Sequence, residues 1–180
     1  MAKIEIRSVT KVFGEHPSSA LSMRRKGQSK ADILRKTGCV LGVDNVSLDI
    51  NEGELVVLMG LSGSGKSTLL RCVNRLIEPN RGSVFLDCED VLRLSPKDLR
   101  ELRQKKFGMV FQNFALFPHR TVLQNAEFGL EVMGVTESAR RESAMRTLEI
   151  VGLKTWADKY PAELSGGMQQ RVGLARALAG

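Results

Sequence analysis

No apolar run in this sequence approaches the ~20 residues that a bilayer-spanning helix needs. The opening residues, Met1-Ala2-Lys3-Ile4-Glu5-Ile6-Arg7, also lack the apolar core of a secretory signal. The expectation is a protein that stays in the cytosol unless a partner holds it at a membrane. Cysteine is scarce: Cys39, Cys72 and Cys88 are three in number, scattered, and without Cys-x-x-Cys spacing. That pattern excludes a disulfide framework or a structural zinc site and fits ordinary cytosolic thiols. Aromatic residues make up 5% of the chain, and they do not interleave with the basic residues as in a single-strand stacking groove. The net charge of +7 is the kind that nucleic-acid binders carry. The stacking platforms of a single-strand groove are nevertheless missing, and the charge is spread out. A solvated basic face, or a face for an acidic or phospholipid-associated partner, fits better, so no nucleic-acid partner is expected. What remains is an ordinary globular composition, 42% hydrophobic and 26% charged, in 180 residues. That length supports one good core and a subdomain.

The chain is organised around Gly60-Leu61-Ser62-Gly63-Ser64-Gly65-Lys66-Ser67-Thr68. Before it, Glu54-Leu55-Val56-Val57-Leu58-Met59 reads as a buried strand, and after it residues 69–76 read as a helix. Strand, Gly-x-x-x-x-Gly-Lys-Ser, helix is the phosphate-binding loop arrangement. Glycines let the backbone curl so that successive amides converge on one anion, and the dipole of the following helix adds to that field. Lys66 supplies a full charge for the β- and γ-phosphates, and the Ser67 hydroxyl is placed to ligate Mg²⁺. The bland alternative is a Gly/Ser-rich turn that binds nothing; the flanking strand and helix argue against it. The loop is read as a nucleoside triphosphate site.

Along the chain, residues 3–9 alternate apolar and polar side chains, as an edge-type strand with one buried face does. Phe13 fits two roles: a ring that stacks on a nucleotide base, or a core residue at a strand end. Residues 16–39 break the pattern and read as a surface insertion, with a basic run at Arg24-Arg25-Lys26 and a short capped helix from Ser29 to Gly38. Residues 43–50 alternate again and turn at residues 51–54 toward the loop strand. Residues 83–87 read as a strand, and Ser95-Pro96 as a helix start. Residues 107–111 read as an apolar strand, with Gln112 at its end, where a polar residue reaches a ligand. From Thr121 the character is helical, with Val122, Asn125, Ala126, Gly129, Leu130 and Met133 at three- and four-residue spacing. Thr136 is expected to cap a second helix, with Ala139, Ser143, Met145, Leu148 and Val151 facing inward. A third helix opens at Ser165.

Leu164-Ser165-Gly166-Gly167-Met168-Gln169-Gln170-Arg171 resembles the signature motif of the ATP-binding cassette family. A serine and two glycines at a helix start make a second anion site by the same physics as the first. The resemblance implies an α/β, P-loop NTPase cassette fold with a mixed sheet core and a helical subdomain. It implies a head-to-tail dimer in which the signature of one copy (Leu164, Ser165, Gly166, Gly167, Gln169) closes on the ATP held by the loop of another. Gln112 would be the Q-loop residue touching Mg²⁺, together with Ser67, and relaying to a membrane partner. Phe13 would stack on adenine, although the insertion places it unusually far upstream of the loop.

Residues 34–39, 59–68, 74–79 and 114–123 are further similar to the glycine betaine/proline/choline importer ATPases, as is the insertion itself. That similarity implies an ATPase subunit that powers import of a quaternary-amine or proline osmoprotectant, peripheral on the cytoplasmic face of the cell (inner) membrane. Its implied partners are a transmembrane permease subunit, a second copy of the ATPase and, indirectly, a periplasmic or extracellular substrate-binding protein. The organisation expected is an ATP-binding core at 1–112, with the insertion at 16–39, and a helical subdomain at 113–180. The family's later parts (the Mg²⁺-binding aspartate, the catalytic glutamate, the D-loop and the switch histidine) do not occur before Gly180, and His119 precedes the signature and does not stand in for that histidine. The chain is therefore read as an N-terminal fragment, truncated after the signature helix, that holds nucleotide weakly without turning it over. The alternative function is a soluble cassette ATPase acting on nucleic acid in repair or translation. It shares both motifs, but no zinc cysteines, long coiled-coil insertion or second cassette accompany them. A kinase or GTPase leaves residues 164–171 unexplained.

Overall fold

Alternating side chains from the N-terminus become a long strand, β1 (Ala2–Phe13), in the computed structural model, which describes residues 2–180. It pairs antiparallel with β2 (Val40–Asn51) on one side and with β3 (Arg81–Leu86) on the other. A two-residue β4 (Glu89–Asp90) completes the order β2-β1-β3-β4. The expected edge strand is thus an inner one, because both its hydrogen-bonding edges find partners, Ile6 lying opposite Leu48 and Val84. Ile6, Val9 and Val12 are buried, but so is Thr10 beside Val9, so burial past Ile6 is not confined to the one alternating face expected. Register slips between Ile6 and Val9, where Ser8 is left-handed, and side-chain hydroxyls take over from the ladder. The Ser8 amide donates to Ser47 Oγ at 2.9 Å, and the Asn45 amide to Thr10 Oγ1 at 3.0 Å. Gly82 is required there, since a Cβ would lie 2.4 Å from the Arg7 carbonyl oxygen.

Between β1 and β2 the insertion folds as two helices, α1 (Pro17–Arg25) and α2 (Lys30–Thr37). Ser29 caps α2 by accepting from the Asp32 amide, and left-handed Gly38 ends it, as its sequence foretells. α1 goes beyond the expectation; Pro17 in its first turn was the available signal. The insertion is also more than a surface feature. Ala20, Leu21, Ile33 and Cys39 bury together with Val12 and Leu41, and Arg24 Nε donates to Asp44 Oδ2 of β2 at 2.8 Å.

Two apolar runs depart from their reading. Residues 54–59 and 107–111 form no strand ladder among the described residues, and Leu55 and Met59 are 89% and 87% exposed. Apolar composition sets a preference for burial, but a strand also needs a neighbouring backbone, and neither run pairs with the antiparallel sheet. The helices α3 (Lys66–Val73) and α4 (Pro96–Lys106) follow where expected, Ser95 Oγ accepting from the Asp98 amide at 3.2 Å to start the second.

The chain divides into two compact units, residues 1–99 and residues 100–180. In the second, α5 (Val122–Ala126), α6 (Phe128–Val132), α7 (Glu137–Ile150) and α8 (Gly166–Leu178) surround a core that includes Val122, Ala144, Leu148, Leu153 and Val172. The inward face of α7 is Ala144, Thr147 and Leu148, while Ala139 is exposed. The helix phase follows its tertiary partner rather than the first small residue in the run. Thr136 sits at the cap position without making a side-chain cap bond.

Asn125 is fully buried in this core. Its Oδ1 accepts from the Phe117 amide at 2.8 Å, and its Nδ2 donates to the carbonyls of Phe117, Arg120 and Thr121 at 3.1, 3.0 and 2.9 Å. It holds residues 117–121 against α5. Asn125→Ala strands these groups and is expected to lower the unfolding free energy by about 3 kcal/mol in urea titration.

Candidate functional site

The Gly60–Thr68 loop leads into α3, whose first turn is Lys66, Ser67 and Thr68. Gly65 precedes it with φ +100° and no side-chain cap, so the first amides of the helix have no capping side chain. A Cβ on Gly65 would lie 2.1 Å from the Gly42 carbonyl oxygen, which excludes any other residue. Gly63 sits at φ +76° in the turn with Ser62, and a Cβ on Gly60 would lie 2.9 Å from Ser64 Oγ. Lys66 Nζ donates to the carbonyls of Gly60 and Leu61 at 2.7 and 2.8 Å and to Ser64 Oγ at 3.3 Å. The loop is a ring closed on its own ammonium, next to a helix N-terminus. That combination draws anions. The Ser67 hydroxyl has no hydrogen-bond partner among the described residues.

Phe13 is linked to this loop through Gly42 despite its distance in sequence. The β1–β2 pairing sets Phe13 opposite Val40 and brings its ring over Gly42, where a Cβ would lie 2.7 Å from Phe13 Cε2. The Gly42 carbonyl in turn abuts Gly65. The ring remains 38% exposed, with Lys11 Nζ 5.2 Å from its centroid. It is neither a fully buried core residue nor remote from the loop. A cavity of about 370 Å³ beside the loop is lined by Gly42, Val43, Gly60 and Lys66, and also by Lys30 of α2. Nothing in the sequence around Lys30 signals that position.

In the second unit, Gln112 is exposed in the turn after residues 107–111, its amide without a partner among the described residues. The turn is tight. The Phe114 amide donates to the Phe111 carbonyl at 2.9 Å, and Phe114 and Ala115 have φ of 55° and 49°. Left-handed backbone at non-glycine residues costs about 1 kcal/mol each and needs support. Arg176 of α8 provides it, its guanidinium donating to the Ala115 and Phe114 carbonyls at 2.7 and 2.8 Å. Burial draws the Arg176 pKa below its ordinary value. Sequence reasoning assigned this arginine no role.

Beyond the turn, the Arg120 guanidinium lies 5.5 and 5.1 Å from the Phe117 and Phe128 ring centroids and pairs with Glu131 at 2.5 Å. Hydrogen bonding from Arg120 holds the Glu131 carboxyl below the usual carboxylate range.

At the start of α8, Ser165 Oγ accepts from the Met168 amide at 3.4 Å, with Leu164 buried behind it. Gly166 and Gly167 form the first turn in ordinary backbone geometry, and a Cβ on either would meet no atom within 4 Å. The fold does not need glycine at either position. Gln169 Nε2 donates to the Pro161 and Leu164 carbonyls at 2.9 and 3.3 Å and ties the connector to the helix.

Residues 43–180 match the family model described as ABC transporter, and the chain belongs to that family. It is 57% identical over 177 residues to the glycine betaine/proline betaine transport system ATP-binding protein ProV of Salmonella typhimurium, covering 98% of this chain and 44% of that protein. It is 52% identical over 179 residues to the glycine betaine/carnitine transport ATP-binding protein GbuA of Listeria monocytogenes, covering 99% of this chain and 45% of the relative. The chain thus spans less than half the length of these curated relatives. Among solved structures, the ATP-binding cassette MJ0796, in a dimeric post-hydrolysis state bound to ADP and Pi, superposes with a TM-score of 0.80 at 35% identity. That match covers 98% of this chain and 69% of that one, so the chain has the cassette fold. Among the described residues, no helix is long and apolar enough to cross a membrane.

Proposed function

We propose that the chain is the ATP-binding part of a subunit that powers import of a quaternary-amine or proline osmoprotectant through a membrane permease. The observation that carries this is the closed ring of Gly60–Lys66 contacts at a side-chain-free helix N-terminus, in a chain resembling betaine-transport ATP-binding proteins. Lys66 and the amides of residues 60–68 bind the triphosphate, and the half-exposed Phe13 ring stacks on adenine. Mg²⁺ fits the free Ser67 hydroxyl, a hard oxygen donor of the kind this cation takes alongside phosphates and water. Gln112, whose amide is likewise free, is the second residue assigned to it. When bound, the cation neutralises charge developing on the transferred phosphoryl group.

Gly166 and Gly167 keep the start of α8 open to an anion, and we assign them to the triphosphate held by a second copy, head to tail. The dimeric state of the MJ0796 cassette supports that assembly. The permease docks on the cytoplasmic side, where residues 112–123 are assigned to meet it, and a substrate-binding protein acts indirectly. The roles given to these residues are binding and positioning roles; none of them is assigned as the base for water attack.

The experiment is co-purification of the full-length protein from detergent-solubilised membranes, followed by ATP turnover with and without nucleic acid. Recovery with a multi-span membrane protein, and turnover indifferent to DNA or RNA, is the expected result. Turnover stimulated by nucleic acid, with no membrane partner, would favour the soluble cassette ATPase and overturn this reading.

A further inference from the structure

The C-terminal half of α8 touches the segment 108–115 at Gly108, Val110, Phe114 and Ala115. A Cβ on Gly108 would lie 2.8 Å from the Ala177 carbonyl oxygen, so the backbone passes α8 there at the closest approach glycine permits. Further along, a Cβ on Gly173 would find the Phe114 carbonyl and Val110 Cγ1 each at 3.6 Å, ordinary contact. Between these points Arg176 spans the two carbonyls of the left-handed pair, Phe114 and Ala115. A basic residue in a last helical turn often serves only its own helix's dipole. Here both terminal guanidinium nitrogens instead donate to another segment, and the planar fork matches two adjacent carbonyls as a lysine's single ammonium does not.

We propose that Arg176 is the positioning residue of the turn that carries Gln112, making that turn a rigid extension of α8. The same helix begins at Ser165, Gly166 and Gly167. Ser165 and Arg176 stand about 16 Å apart along the axis at 1.5 Å per residue. An anion that draws on the glycine end of α8 therefore displaces the Gln112 turn as one body with the helix. The functional meaning of the two ends rests on the nucleotide-site reading above; the clamp itself does not.

Two measurements on the full-length protein test this, with Arg176→Met, Arg176→Lys, Ala115→Gly and the double variant Arg176→Met/Ala115→Gly. Hydrogen–deuterium exchange reads the clamp directly. In Arg176→Met, amides of residues 111–116 are expected to exchange about tenfold faster or more, the scale of a lost pair of charge-assisted bonds, while those of α7 stay unchanged. Steady-state kinetics read the coupling: kcat for ATP falls about tenfold with KM within about twofold. Arg176→Lys recovers only part of the loss. Glycine at position 115 removes the side-chain penalty at one left-handed site and restores turnover several-fold in the Met background.

Unchanged exchange at 111–116 overturns the clamp. Faster exchange across α7 as well, with additive single and double variants, overturns it too, since Arg176 would then only stabilise the unit as a whole. A wild-type protein that binds no nucleotide overturns the functional reading, and the exchange comparison still decides the clamp.

Discussion

Lys66→Ala in the full-length protein is expected to lower ATP turnover by about a thousandfold and to weaken ATP binding in the same preparation. Losing one preorganised donor to developing charge costs about 10²–10³ in kcat by itself. Here the residue does two jobs. In the proposed site its ammonium is the charge aimed at the β- and γ-phosphates, and it is also the centre on which the Gly60 and Leu61 carbonyls and Ser64 Oγ converge. Without it those oxygens face one another and the ring opens, so the amides that cradle the anion lose their shape as well. Lys66→Arg should not rescue the loss. A planar fork does not satisfy three acceptors arranged around a point, even though the charge is kept. The melting temperature should move by no more than about 2 °C, because surface hydrogen bonds of this kind contribute little to folding. ATP titration, turnover and a thermal melt on one sample separate these effects. A variant that still hydrolyses ATP at near wild-type rate would remove Lys66, and with it the loop, from the proposed site.

How much of this could be read from the residues depends on whether the governing interaction is local. Helix ends were legible: Ser29 and Gly38 bound α2, Ser95 starts α4 and Ser165 starts α8, because a cap is made by residues within a few positions of one another. The loop was legible for the same reason, Gly65 and Lys66 acting on their own turn. Pairing was not. Residues 54–59 have the composition of a buried strand, yet they find no ladder partner among the described residues. β1 carries the pattern of an edge strand yet is paired on both sides. The nearness of Phe13 to the loop was hidden by the insertion and comes from strand register, Phe13 against Val40, which no spacing rule contains. Arg176 is the extreme case. One arginine near a helix end looks like every other, and its meaning lies in two carbonyls some sixty residues away.

Gly167→Asp is expected to separate folding from function with opposite signs. The position is the second residue of α8, in ordinary helical geometry, with no atom within 4 Å of an added Cβ, and the first turn of this helix holds no acidic residue. Replacing glycine removes its backbone-entropy cost in the helix, and a carboxylate in the first turn complements the helix dipole. Each contributes a few tenths to about 1 kcal/mol. The variant should therefore be at least as stable as the wild type in urea or on heating. The same carboxylate sits where we assign the γ-phosphate of a second copy's nucleotide. It would repel that phosphate and occupy the helix N-terminus in its place. Turnover by the full-length protein should fall by about a hundredfold or more, the scale of losing a preorganised anion site. Affinity for ATP at the Lys66 loop of the isolated protomer should be unchanged, since no residue of that loop is altered. Gly167→Ala is the milder companion: equal or better stability, with turnover reduced by the methyl group alone. If Gly167→Asp kept full turnover, the start of α8 would be an ordinary exposed helix end. The two glycines would then need another explanation, because nothing in the fold asks for them.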